Sequence, residues 1–212
     1  MRIGIVTDVH DEVEQLSLAL DSLRSEAVEA IVSLGDTTDR FGAWDRATEV
    51  AALMSAARVV GVWGNHDYDL CREPSLELRA RFSPATLEYM ATICPQLEVG
   101  GCHFSHVEPW LDPLDPGNLW CFEGVPETED RLRKCFDAVP HRVVFLGHFH
   151  RWFAATEDGR LDWDGTTPLH FEPARRYLVV VAPMFSGAFA VIDTDRWVLE
   201  PRQLPTSGTR ST

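Results

Sequence analysis

Basic residues are in short supply: 19 lysines and arginines stand against 33 aspartates and glutamates, a formal net charge of −14. A surface of that sign repels phosphate backbones and anionic headgroups, which excludes bulk nucleic-acid and membrane-surface binding. Any phosphorylated substrate then requires a concentrated local positive centre. The five cysteines (Cys71, Cys94, Cys102, Cys121, Cys135) include no CxxC pair. That pattern fits neither a zinc ribbon nor a disulfide framework, and it points to small core residues with reduced thiols in a cytoplasmic protein. No apolar run approaches the ~18 residues of a membrane span. The opening Met1-Arg2-Ile3-Gly4-Ile5-Val6 has no leader profile. Internal repeats and linkers are also missing. What remains is ordinary globular composition, 45% hydrophobic and 25% charged. The expectation is one domain over residues 1–204 followed by a small, polar, frayed tail, 205–212.

The first third alternates strand and helix signals. Arg2–Thr7, Ala30–Leu34 and Arg58–Trp63 are short β-rich runs. Between them, Leu16, Ala19, Leu20, Leu23 and Ala27 recur at helical spacing, and Ala43–Ala57 reads as a second helix. Asp11 and Glu14 resemble a capping pair. Short links between such elements predict a parallel βαβαβ start. Further on, Ser83-Pro84 opens a helix to Ile93, and Leu97–Phe104 pivots on Gly100-Gly101 as a hairpin. Four prolines make Val107–Pro126 a long ordered loop or lid. Glu127–Phe136 is a short helix and Arg142–Leu146 a buried strand. Strands and turns follow at Trp152–Thr156, Asp158-Gly159, Tyr177–Ala182, Phe189–Asp193 and Val198–Leu204.

Polar metal-ligating residues recur where apolar strands stop. Asp8 and His10 follow the first strand, Asp36 and Asp39 the second, and Asn65, His66 and Asp67 the third. His106 follows the hairpin, and His148 and His150 the late strand. Strand ends on one edge of an open α/β sheet converge. In extended backbone, residues two apart share a face, so Asp8 with His10, and His148 with His150, are expected to point into one spot. Oxygen and imidazole donors without thiolate suit a first-row divalent metal. His103 competes with His106 as the hairpin ligand. Asp8 has a helix cap as its alternative role, Asp67 a plain turn, and Arg40 a surface salt bridge.

Asp8-Val9-His10, Gly35-Asp36-Thr37-Thr38-Asp39-Arg40, Gly64-Asn65-His66-Asp67, His106 and Gly147-His148-Phe149-His150 resemble, in order and spacing, the signatures of the calcineurin-like metallophosphoesterases. The resemblance implies a four-layer α/β/β/α sandwich of two mixed sheets flanked by helices. It implies that Asp8, His10, Asp36 and His150 hold one metal, and that Asn65, His106 and His148 hold a second bridged by Asp36. His66 resembles the proton-donating histidine and Asp39 the residue that orients it. Arg40 matches a phosphate-clamping arginine of the protein-phosphatase branch, although Phe41 stands where that branch has glycine. Asp11 stands where the family usually has glycine.

The implied cofactors are two divalent transition-metal ions, manganese first, with iron, zinc, nickel or cobalt as alternatives. The implied reaction is hydrolysis of a small phosphomonoester or phosphodiester, nucleotides among them, by a metal-bridging hydroxide with a histidine general acid. Protein serine/threonine or diadenosine polyphosphate-type phosphatase chemistry is the alternative within that class. A non-catalytic scaffold of the same fold is the alternative outside it, and it predicts gaps in the ligand set. The aromatic-rich 107–126 segment either plugs the sheet edge or forms a cleft wall that stacks on a base, with Trp110 and Trp120 as candidates.

Overall fold

A computed structural model describes residues 1–205, so the tail expected at 205–212 lies, except for Pro205, outside the described residues. Strand β1 (Arg2–Val6) leads into helix α1 (Val13–Ser25), β2 (Ala30–Ser33), α2 (Ala47–Ala56) and β3 (Val60–Gly61). Three short helices follow, α3 (Tyr68–Cys71), α4 (Leu76–Arg81) and α5 (Pro84–Met90). The hairpin β4 (Gln96–Val99) and β5 (Cys102–Ser105) comes next, then α6 (Pro116–Leu119), α7 (Glu129–Ala138) and β6 (Val143–Leu146). The described residues close with β7 (Phe153–Thr156), β8 (Gly159–Arg160), β9 (Leu169–His170), β10 (Tyr177–Val180), β11 (Ala188–Asp193) and β12 (Val198–Gln203).

These strands form two six-stranded sheets, ordered β3-β2-β1-β11-β12-β9 and β4-β5-β6-β10-β7-β8. The parallel β1-β2-β3 start is as the sequence predicts. Alternation along each central strand explains the layering. Ile3, Ile5, Val32, Leu34, Phe104, Val143, Phe145, Val179 and Ile192 face the space between the sheets. Val6, Ile31, Phe189 and Val191 turn outward against α1, α2 and α5. Val144, Leu146, Leu178 and Val180 turn outward against Leu132, Cys135 and Phe136 of α7. Strands buried on both faces read as continuous apolar runs, and the four-layer α/β/β/α sandwich is the result. The five cysteines are free thiols.

Local departures have identifiable causes. The run Arg58–Trp63 contributes only two residues of strand: Arg58 sits at φ +55°, and past Gly61 the Val62 amide still donates to the Ser33 carbonyl while Cys94 bridges from the other side. The second helix starts at Ala47 rather than Ala43, since Ala43 and Trp44 also have positive φ and the Trp44 indole donates to the His66 carbonyl. Asp11 does not cap α1: Glu12 occupies that position, and no side chain caps it. Asp11 instead sits at φ +63°, where burial pushes its carboxyl up to about 6. Ser83 caps α5 as expected, accepting from the Thr86 amide.

The 107–126 segment is tied at both ends. Arg131 on α7 donates through Nε to Glu108 at 2.8 Å, and through its other nitrogens to the carbonyls of Glu123, Gly124 and Val125. Glu108 is only 3% exposed, so this carboxylate depends on Arg131 for its charge partner. Arg131→Ala is expected to destabilise the fold by about 3–5 kcal/mol in urea unfolding, the cost of stranding one half of a buried ion pair. The paired Glu108→Leu/Arg131→Met variant should recover much of the loss. Limited proteolysis of Arg131→Ala should cut first within 107–126.

Candidate metal centre

The C-terminal ends of β1, β2 and β3 from one sheet, and of β5 and β6 from the other, open onto a single spot. Asp8, Asp36, Asn65, His66, His106 and His148 all gather there with little exposure, between 0 and 8%. Two clusters form. Ligating atoms of Asp8, His10 and His150 lie within 4.8 Å of one another, and so do those of Asp36, His106 and His148. Asp36 stands between them, with Oδ2 3.3 Å from His106 Nε2 and 3.8 Å from His10 Nε2. Its other oxygen accepts from the His66 amide at 2.8 Å.

The spacing argument for Asp8 with His10 and for His148 with His150 takes a different form in the structure. Asp8, His10, Asp36, His148 and His150 all have φ between +48° and +68°, not extended backbone. His148 and His150 consequently serve different clusters. Left-handed backbone costs a non-glycine residue about 1–2 kcal/mol, and such strain gathers at functional sites. Glycine's part also differs by position. Gly35 supplies a turn at φ +97°, whereas Gly64 supplies clearance: a Cβ there would lie 2.7 Å from the Asp36 backbone nitrogen.

Proton positions follow from the outer partners. The Leu34 carbonyl, 2.7 Å from His106 Nδ1, can only accept, so Nδ1 carries the proton and Nε2 presents its lone pair. The Cys121 carbonyl does the same for His148 Nε2 at 3.1 Å, leaving Nδ1 as the donor atom. His106 Nε2, His148 Nδ1 and Asn65 Oδ1 then face one another at 3.1–3.2 Å, and Asp36 Oδ2 lies 3.3 Å from His106 Nε2. Lone-pair atoms at such spacings match the edges of a coordination shell with bonds near 2.0–2.1 Å. In the first cluster, Asp8 Oδ1 and His10 Nε2 are buried with no hydrogen-bond partner, while Asp8 Oδ2 is held by Thr7 Oγ1 at 2.6 Å. The residues present therefore fit two cations. The titration pattern shows how strongly Asp36 draws positive charge: a proton on His106 Nε2 competes with a cation for that lone pair. Burial opposes charge on His106, but the Asp36 carboxylate outweighs it and lifts the ring to about 9. Burial beside His106 drops His148 to about 4. Burial also works against Asp36, whose carboxyl is nonetheless held below the usual range by His106.

Asp67 knits two of the loops together. Its carboxylate accepts from the backbone and hydroxyl of Thr37 and of Thr38, and from the Gly64 amide. His66 Nδ1 lies 3.1 Å from Asp39 Oδ1, and its ring meets His10 edge-on at 4.6 Å. Arg40 reaches this corner through its backbone amide, 3.3 Å from His66 Nδ1, while its guanidinium pairs with Asp69. His103 lies elsewhere, beside His141. Trp120 packs 5.2 Å from the His66 ring and 5.7 Å from Phe41, so it walls the site; Trp110 sits under Lys134 instead. Two groups escaped the sequence reading. The Cys121 carbonyl has no sequence signature at all. Phe185, 5.0 Å from the His150 ring, was signalled only by an aromatic residue just after a buried strand.

Because Gly64 abuts Asp36, Gly64→Ala should displace that carboxylate. The expected outcome is overpacking worth about 1–3 kcal/mol, a modest fall in melting temperature, and loss of at least one bound cation by elemental analysis.

The family model for the calcineurin-like phosphoesterase superfamily domain matches residues 1–173. "Uncharacterized protein MJ0912" of Methanocaldococcus jannaschii is 22% identical over 175 residues, 75% of this chain and 66% of that protein, just under two thirds of its length. A metallophosphoesterase from Sphaerobacter thermophilus superposes with a TM-score of 0.73 at 20% identity, covering 97% of this chain and 88% of that one. A structure described as a novel archaeal phosphodiesterase gives 0.56 at 17% identity, covering 96% and 100%. At these identities the superpositions speak for the fold, and the family match speaks for membership. By the extent of that match, the chain belongs to the calcineurin-like phosphoesterase superfamily.

Proposed function

We propose that this protein is a dinuclear metal-dependent hydrolase of small phosphomonoesters or phosphodiesters. The observation that carries the reading is a set of buried lone-pair atoms, three of them 3.1–3.2 Å apart and the Asp36 carboxylate 3.3 Å from one of these, with the ring protons directed outward. When bound, two divalent cations supply positive charge for the phosphoryl oxygens and acidify a water molecule. Asp8, His10 and His150 would hold one cation, Asn65, His106 and His148 the other, with Asp36 shared. Manganese is the preferred ion for this mixed oxygen and imidazole set. The ligand carboxylates Asp8 and Asp36 return two of the four positive charges, which leaves a local centre able to outweigh the −14 surface at short range.

The chain's own groups supply the rest. Asp39 holds His66 through Nδ1, so Nε2 is the atom that gives a proton to the departing alkoxide. Phe41, Trp120, Phe122 and Phe185, each 38–78% exposed, rim the site and offer flat faces to an aromatic leaving group such as a nucleobase. The protein-phosphatase alternative needs Arg40 on the phosphate, and the Asp69 ion pair does not favour it. The scaffold alternative needs gaps in the ligand set, and the clusters have none.

Chelator-stripped protein should lose phosphoesterase turnover and regain it with manganese, cobalt or nickel. His66→Asn should retain both metals by elemental analysis yet lose about 10²–10⁴ in turnover on an alkyl ester, with a smaller loss on p-nitrophenyl phosphate, whose leaving group hardly needs a proton. Full activity in verified metal-free protein would overturn the reading, and a metal-depleted His66→Asn would overturn the division of roles.

Trp120→Ala tests the rim. At about 1–3 kcal/mol per stacked base, KM for a nucleotide substrate should rise about 5- to 100-fold. KM for β-glycerophosphate and the melting temperature should not change. Equal losses on both substrates, with a lower melting temperature, would make the indole a packing residue only.

A further inference from the structure

The opposite end of the second sheet carries another set of metal-ligating side chains. His103 on β5 stands directly across from Glu98 on β4 in the antiparallel register, so both project from one face. His141 enters from the link between α7 and β6. One ligating atom from each lies within 4.8 Å of the others. The catalytic candidates His106, His148 and His150 follow the C-terminal ends of β5 and β6, whereas His141 precedes the start of β6.

Two features separate this cluster from a chance surface grouping. His103 is 2% exposed, yet among the described residues neither of its ring nitrogens has a hydrogen-bond partner, and His141 Nδ1 is likewise buried and unmatched. Buried polar atoms are otherwise almost always paired. Secondly, His141 Nε2 and Glu98 Oε1 are 3.3 Å apart, close to the edge of a tetrahedron with bonds of about 2.0–2.1 Å. The link bearing His141 is fixed in place, because Arg176 donates to the carbonyls of both Val139 and His141. The adjacent cation does not intrude: Arg142 stacks on Trp197 at 4.2 Å and donates to the Phe171 carbonyl. Burial, reinforced by the neighbouring His141, holds His103 down to about 4, so its ring is neutral and its lone pair available near pH 7.

We propose that Glu98, His103 and His141 form a third metal site, for a borderline divalent cation such as zinc, which ties the β4–β5 hairpin to the α7–β6 link. Two imidazoles and one carboxylate favour zinc over magnesium or calcium, which prefer all-oxygen shells. Glu98 is 68% exposed, so the remaining coordination position faces solvent and is filled by water. This site does not depend on the proposed activity.

Equilibrium dialysis of the full chain against zinc, read by elemental analysis, tests it. Wild-type protein should hold one zinc equivalent more than the Glu98→Gln/His141→Gln variant, whatever the other clusters take up. Equal stoichiometry in the two would overturn the proposal. Long-range ¹H–¹⁵N spectra of wild-type imidazoles remove any dependence on the variant's folding. Saturating zinc should shift the ring nitrogens of His103 and His141, and magnesium should not. Unshifted His103 and His141 resonances in saturating zinc would equally overturn it.

Discussion

The placement of the Asp36 carboxylate is the constraint on which the rest of the site depends. One oxygen is held by the His66 amide, and the other faces the lone pairs of His106 and, farther off, His10. Like-polarity atoms at 3.1–3.3 Å repel unless a cation or proton lies among them, and their desolvation is uncompensated otherwise. Asp36 therefore couples three loops, from β2, β3 and β5, into one electrostatic unit. Asp67 gives that unit rigidity by collecting five donors from the first two of those loops.

Holding such an arrangement draws on stability supplied elsewhere. Five ligand residues sit in left-handed backbone, a combined strain of several kcal/mol. It is offset by central strands buried on both faces, with β1, β6 and β10 contributing residues to two cores each. Site and core are thus divided by position along the same strands: apolar residues within the sheet, ligands just past its end. The same economy holds for the outer segment, where the buried Glu108–Arg131 pair, together with donors from Trp63, Tyr68 and Gln96, keeps 107–126 close enough for Trp120 and the Cys121 carbonyl to reach the centre.

Charge is partitioned in the same way. The surface is strongly acidic, while the site gathers five histidines and sets aromatic rings around its mouth. On the proposed function, an anionic substrate would be repelled by most of the surface and would find one local centre once cations were bound. The flat faces at the rim would then add a preference for an aromatic group beyond the phosphorus.

Much of this was legible in the sequence, because its signals are local. Apolar runs ending at Asp8, Asp36, His106 and His148 disclosed the strands, their parallel start and the edge where ligands gather. Ser83-Pro84 and Gly100-Gly101 disclosed a helix start and a hairpin. Other features depend on groups far apart in the chain. Strand β3 spans only two residues after the positive-φ Arg58, and Asp11 left its helix cap for a left-handed position near Asp39 and Asp67. Sequence spacing paired His148 with His150, but backbone at positive φ sends them to different clusters. Residue type and order determined which chemistry is available. The direction of each lone pair was decided only by the fold, because a histidine's tautomer is set by a carbonyl such as Leu34 or Cys121, which any residue carries and no side chain announces.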